Sequence, residues 1–103
     1  MIVESGVKHV VVFWLREGSV KDKALALISQ LASLPQVQSL AVGGPIDHDW
    51  AAVSIDKSWH IGFVAELKTK NDCRAYFHEP LHQNVAGQLR DMSERIFAMY
   101  MDY

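Results

Sequence analysis

The stretch "KHVVVFWLREG", residues 8–18, decides the fold. Its centre, residues 10–15, is six apolar side chains in a row, rich in β-branched and aromatic types, and charge and Gly18 end it. That is the composition of a β-strand. A strand points successive side chains to opposite faces. Val11, Phe13 and Leu15 therefore face one way, and Val10, Val12 and Trp14 the other. A sheet built around this strand cannot leave either face to water without exposing a large apolar patch.

Working outward, Ser19 is placed as the N-cap of a first helix, with Asp22 reaching back to the free N–H groups. Leu25, Ile28, Leu31 and Ala32 recur at helical spacing, and Pro35 marks the stop. "VQSLAVGG", residues 37–44, sets Val37, Ser39 and Ala41 against Gln38, Leu40 and Val42, as a second strand would. Residues 45–57 read as a long loop of the kind that often serves function. "WHIGFVAEL", residues 59–67, is a third strand. It sets Trp59, Ile61, Phe63, Ala65 and Leu67 on one side and His60, Gly62, Val64 and Glu66 on the other. Thr69 or Asn71 starts a short helix carrying Ala75, Tyr76 and Phe77. A second helical piece runs from Pro80 or Leu81 to about Arg90, with Val85, Leu89 and Met92 on its apolar side. "RIFAMYMDY", residues 95–103, closes the chain as a fourth strand.

The order β-α-β-β-α-β is that of the ferredoxin-like plait, an α+β fold. It predicts one domain over residues 1–103, a four-stranded antiparallel sheet, and the helices on one face. The other face is apolar where water would require polar groups, so two copies should pack sheet to sheet as a homodimeric α+β barrel.

Composition narrows the function classes. Ten basic and 12 acidic residues give a formal net charge of −2, with the basic ones scattered, so no nucleic-acid partner is expected. No apolar run is long enough to span a bilayer, and "MIVESGVKHV" lacks a signal-peptide pattern, so no membrane partner is expected. A single cysteine, Cys73, precludes an internal disulfide framework and suits a reducing compartment. The expected location is the cytoplasm.

"HEPLH", residues 78–82, matches the zinc-peptidase pattern H-E-x-x-H. That pattern needs an unbroken helix to bring both histidines onto one face. Pro80 breaks it: the ring clashes with the carbonyl four residues back and drives Glu79 from helical angles. His78 then ends one helix and His82 opens the next, so the zinc reading fails on geometry.

Beyond the motif, "KHVVVFWLREG", "LASLPQVQSLAVGG", "WHIGFVAEL", "CRAYFHEPLHQNV" and the closing "MDY" resemble the stress-responsive A/B barrel family of dimeric α+β barrel proteins. The most specific element is Tyr76 followed by Pro80-Leu81-His82, strengthened by His9 in the first strand and His60 opening the third. Many members of that family have no assigned activity. A plant polyketide cyclase among them closes its substrate without a metal or redox cofactor, using a pocket between sheet and helices. The resemblance implies a site in which His82 is the acid/base, Tyr76 its partner, and His9 and His60 lie nearby.

Each of these residues also has a plainer reading. His82, in the first turn of a helix, would feel the positive helix end and stay neutral, fit to take a proton near neutral pH. It could equally cap the preceding helix or bond a backbone carbonyl. Tyr76 could be a core aromatic with its hydroxyl at the rim. His9 and His60 could be satisfied structural histidines, although by alternation both could face the helices beside His82. No cofactor is expected, and no metal: the histidines bring no carboxylate at ligand spacing. "DHD" at Asp47, His48 and Asp49 could hold a divalent ion but reads more simply as a solvated turn. The expected function is binding of a small, carbonyl-rich apolar molecule and its acid/base conversion of the cyclase, isomerase or lyase kind. The alternatives are a non-catalytic, stress-related or ligand-binding dimer and, more remotely, a monooxygenase-like member of the same barrel group.

Overall fold

A computed structural model describes residues 5–46 and 55–103. Its elements are β1 (Val7–Leu15), α1 (Lys21–Ser29) continued by a 3-10 turn (Gln30–Ser33), β2 (Val37–Gly43), β3 (Ile61–Leu67), α2 (Lys70–His78), α3 (Pro80–Met92) and β4 (Ser93–Asp102). The four strands form one antiparallel sheet in the order β2-β3-β1-β4, with the doubly apolar β1 at an inner position. This is the ferredoxin-like plait. Asp47, His48 and Asp49 lie outside the described residues.

Register decides which side chains meet. Facing residues of an antiparallel pair share a face of the sheet. Phe13 lies opposite Ile61, Val11 opposite Phe63, and His9 opposite Ala65. These six, with Leu15 and Leu67, point toward the helices; all but His9, which is buried beside them, form the core with Ala24, Leu27, Ile28, Leu31, Val85 and Leu89. On α1 the buried stripe is Ala24, Leu27, Ile28 and then Leu31, whereas Leu25 and Ala32 are exposed. Ser19 does not cap α1. Val20 takes the N-cap position, and the Ser19 hydroxyl donates instead to the Met92 carbonyl at 3.0 Å, pinning the β1–α1 turn to the end of α3.

In β2 the register shifts between Val37 and Ser39, so strict alternation fails there and Val37 joins Leu40 and Val42 against the core. The Pro80 break behaves as its chemistry requires. Glu79 sits at φ −60°, ψ 132°, outside the helical region, and Pro80 opens α3 where its missing N–H is immaterial. Thr69 caps α2 by accepting from the Asp72 N–H at 3.0 Å.

Among the described residues, no helix covers the opposite face of the sheet. Val10, Val12 and Val64 are half-buried there, and Phe97 and Met101 of β4 are exposed. Trp14 lies on the same face, its indole under the Arg95 guanidinium at 4.3 Å and its N–H donated to Ser58 Oγ at 2.8 Å. Trp59 was assigned by alternation to the side of Ile61 and Phe63, but its ring lies over Gly62 on this open face. Gly62 has no room for a side chain: a Cβ would sit 2.7 Å from the Val11 carbonyl and 2.8 Å from Val12. Among the described residues no helix is long and apolar enough to cross a membrane.

Candidate functional site

The helix-facing side of β1 and β4, with α3 laid across it, encloses a cleft of about 320 Å³. One wall is strand: His9, Val11 and Phe13 of β1 beside Tyr100, Ala98 and Ile96 of β4, paired across the ladder in that order. The other wall is helix: His82, Val85, Ala86, Leu89 and Arg90 recur on one side of α3 at the 3.6-residue period. Phe77, from the end of α2, leans against His82 with ring centres 5.6 Å apart. The cleft is open along β4, where Ile96 and Tyr100 remain about 40 % exposed (38 % and 42 %).

Three of the four sequence candidates meet at one end of this cleft. The Tyr76 hydroxyl and His9 Nδ1 share a hydrogen bond of 2.9 Å, and Tyr76 is wholly buried behind His9. The His82 ring lies 4.5 Å from that of Tyr76 and 5.9 Å from that of His9. Tyr76 was expected to partner His82. Its hydroxyl is spent on His9 instead, and the contact with His82 is one of ring against ring.

Electrostatics follows from burial. Desolvation pulls His9 down to a pKa of about 4, with the neighbouring His82 adding to the fall, so the ring is neutral at pH 7. Burial also lowers His82, against a smaller opposing pull from the Phe77 carbonyl. That carbonyl also accepts from the Gln83 side-chain amide at 2.6 Å, and His82 Nδ1 is buried without a hydrogen bond of ordinary geometry to any described residue. A buried nitrogen left unpaired is costly in an interior where most polar atoms are satisfied. The Tyr76 and Tyr100 phenols are raised by burial, Tyr100 to about 12, and both stay protonated at neutral pH. The site therefore holds two neutral imidazoles and two neutral phenols. Such a set can accept a proton at one nitrogen and donate hydrogen bonds to a carbonyl or alkoxide oxygen.

His60 does not join them. It precedes β3 by one residue and is exposed; its Nδ1 accepts the Leu15 N–H at 2.9 Å while its backbone N–H donates to the Phe13 carbonyl at 2.9 Å. The pairing of Phe13 with Ile61 gives the helix-facing side to Ile61 and Phe63, so His60, one step out of phase, cannot face the helices with His9. It finishes the β1–β3 ladder. His78 is exposed, and Glu79, half-buried, accepts from the Gln36 side-chain amide at 2.9 Å. Among the described residues no group of three or more His, Cys, Asp or Glu side chains is placed to hold a metal ion.

Sequence reasoning missed Tyr100 and Arg90. Tyr100 stacks flat on His9, ring centres 4.1 Å apart and planes within 4°. Its place opposite His9 depends on the register shift between Trp14 and Leu15, which the sequence pattern does not contain. Arg90 follows His82 by eight residues, two helical turns onward on the same side of α3.

Comparison with known proteins bears on the fold and the family. No curated protein matches the sequence. Among solved structures, a hydroxynitrile lyase from Passiflora edulis superposes with a TM-score of 0.78 at 15 % identity, over 95 % of this chain and 93 % of that one. A dimeric ferredoxin-like protein of unknown function from Jannaschia gives 0.76 at 22 % identity, over 95 % and 99 %. A Dabb family protein with a ferredoxin-like fold from Mesorhizobium loti gives 0.68 at 21 % identity, over 97 % and 96 %. At such identities the likeness speaks for the fold alone. The model of the stress responsive A/B barrel domain (Dabb) matches residues 7–103, nearly the whole sequence, and the chain belongs to that family.

Proposed function

We propose that the protein is a homodimer in which each cleft binds a small apolar carbonyl compound and converts it by the protein's own acid/base groups, in a reaction of the cyclase, isomerase or lyase kind. One observation carries this reading: His82 Nδ1 is buried, unpaired and held neutral beside an apolar cleft. A structural histidine would spend that nitrogen on a protein partner, as His60 does. An acidic C–H or O–H of a bound molecule would meet the part of the His82 ring that lines the cleft. His82 would take that proton, and the His9–Tyr76 pair and the Tyr100 hydroxyl would steady the oxygen on which charge develops. The hydroxynitrile lyase from Passiflora edulis shares this fold, which is compatible with a reaction of the lyase kind and leaves the substrate open. The dimer rests on the uncovered apolar face of the sheet and on the dimeric description of the Jannaschia protein.

The apolar middle of the cleft, with Val11, Val85, Leu89 and Ala98, also suits a binding module with no chemistry. A calorimetric screen of small aryl ketones and β-keto esters against wild type and His82→Ala separates the two. Loss of affinity of about tenfold or more in the variant, with its melting transition kept, supports the site. Equal affinity in both proteins would leave His82 without a role in recognition and contradict the proposal.

A further inference from the structure

The cleft is polar at both ends and apolar between. His9, His82 and Tyr100 stand at one end, and Arg90 stands at the other. Eight residues at 1.5 Å each set Arg90 about 12 Å along α3 from His82. The ends align because α3 runs alongside β1: Arg16 N donates to the Met92 carbonyl at 2.8 Å, which brings the last turn of α3 to the far end of β1. Val85 and Leu89 on the helix and Val11 and Ala98 on the sheet fill the interval. The Arg90 guanidinium is exposed and has no ion pair, hydrogen bond or ring contact with any described residue.

Resting on the function proposed above, we infer that the cleft takes an amphipathic acid. Its carboxylate would meet Arg90 at the mouth, its apolar body would lie between α3 and the sheet, and its reacting carbonyl would reach His82. A guanidinium offers a carboxylate two parallel N–H donors, a geometry a neutral amide cannot match. The carbonyls at the end of α3 repel an anion, so Arg90 is the group that makes the carboxylate acceptable there.

The test uses 4-phenylbutanoate and its neutral amide as probes, titrated by NMR into wild type, Arg90→Gln and Arg90→Lys, with the His9 and His82 ring signals as the marker of cleft binding. Wild type should bind the carboxylate about tenfold more tightly than the amide. Arg90→Gln should erase that preference while amide affinity is unchanged, and Arg90→Lys should recover part of it. If Arg90 served only the dipole of α3, the Gln variant would melt lower with the preference intact, and the inference would be wrong. Equal binding of both probes to wild type, with the histidine signals shifted, would overturn the amphipathic-acid inference and leave the cleft proposal standing. Failure of both probes to shift those signals would count against both.

Discussion

His9 and His82 have rings 5.9 Å apart, yet they stand in different chemical positions. His9 is satisfied by Tyr76 and stacked on Tyr100, whereas His82 keeps a buried nitrogen unpaired. The first is suited to hold geometry and the second to exchange a proton. His9 also links the site to stability. Its pKa falls from 6.5 in the unfolded chain to about 4 in the fold, so between those values the unfolded chain binds a proton that the native protein refuses. The resulting stability is present above pH 6.5 and is lost as pH falls through about 4. The loss over that window is on the order of 3 kcal/mol. Urea unfolding of wild type and His9→Phe at pH 7 and 4.5 should show a shallower pH dependence in the variant, on top of a lower stability at pH 7.

At the scale of elements, the β1–β3 ladder does most to place the site, because it sets His9 on the helix side and His60 off it. Its tightest point is Gly62, where the Val11 carbonyl and the Val12 side chain leave no space for a methyl group. Gly62→Ala should cost about 1–3 kcal/mol, read as a lower denaturant midpoint. The same variant should disturb the Leu15 N–H bond to His60 at the end of the ladder. The elements themselves were legible in the sequence: the apolar run of β1, the Pro80 break, and the helical period of Val85 and Leu89 each state a local rule that the fold obeys. What was not legible depended on register and on competition between partners. The side of His60 follows from which residue of β1 lies opposite Ile61, and alternation within one strand does not contain that. The hydroxyl of Tyr76 could reach either histidine, and only three-dimensional packing assigns it to His9. Ser19 looked like a cap, but the Met92 carbonyl, supplied from 73 residues away, claims its hydroxyl.

On the scale of the whole molecule, the plait covers one face of its sheet with helices and leaves the other apolar. Phe97, half exposed on the outer strand, would face the second copy in the proposed dimer. Sedimentation should give twice the chain mass for wild type. A Phe97→Glu, Met99→Glu variant should shift toward the chain mass, since like charges on a face-to-face sheet contact would be buried unpaired.

Proton transfer to His82 in the cleft is the central claim, and deuterium uptake tests it most directly. Ethyl benzoylacetate in deuterated buffer exchanges its α-hydrogens at a background rate that NMR can follow. Wild type should raise that rate, and the increase should fade in acid as His82 takes up a proton, below the ordinary histidine pKa of 6.5 because burial lowers it. His82→Gln, folded and of unchanged assembly state, should return exchange to background. Exchange that stays equally fast in His82→Gln, or never exceeds background with wild type while the ester occupies the cleft, would contradict the account.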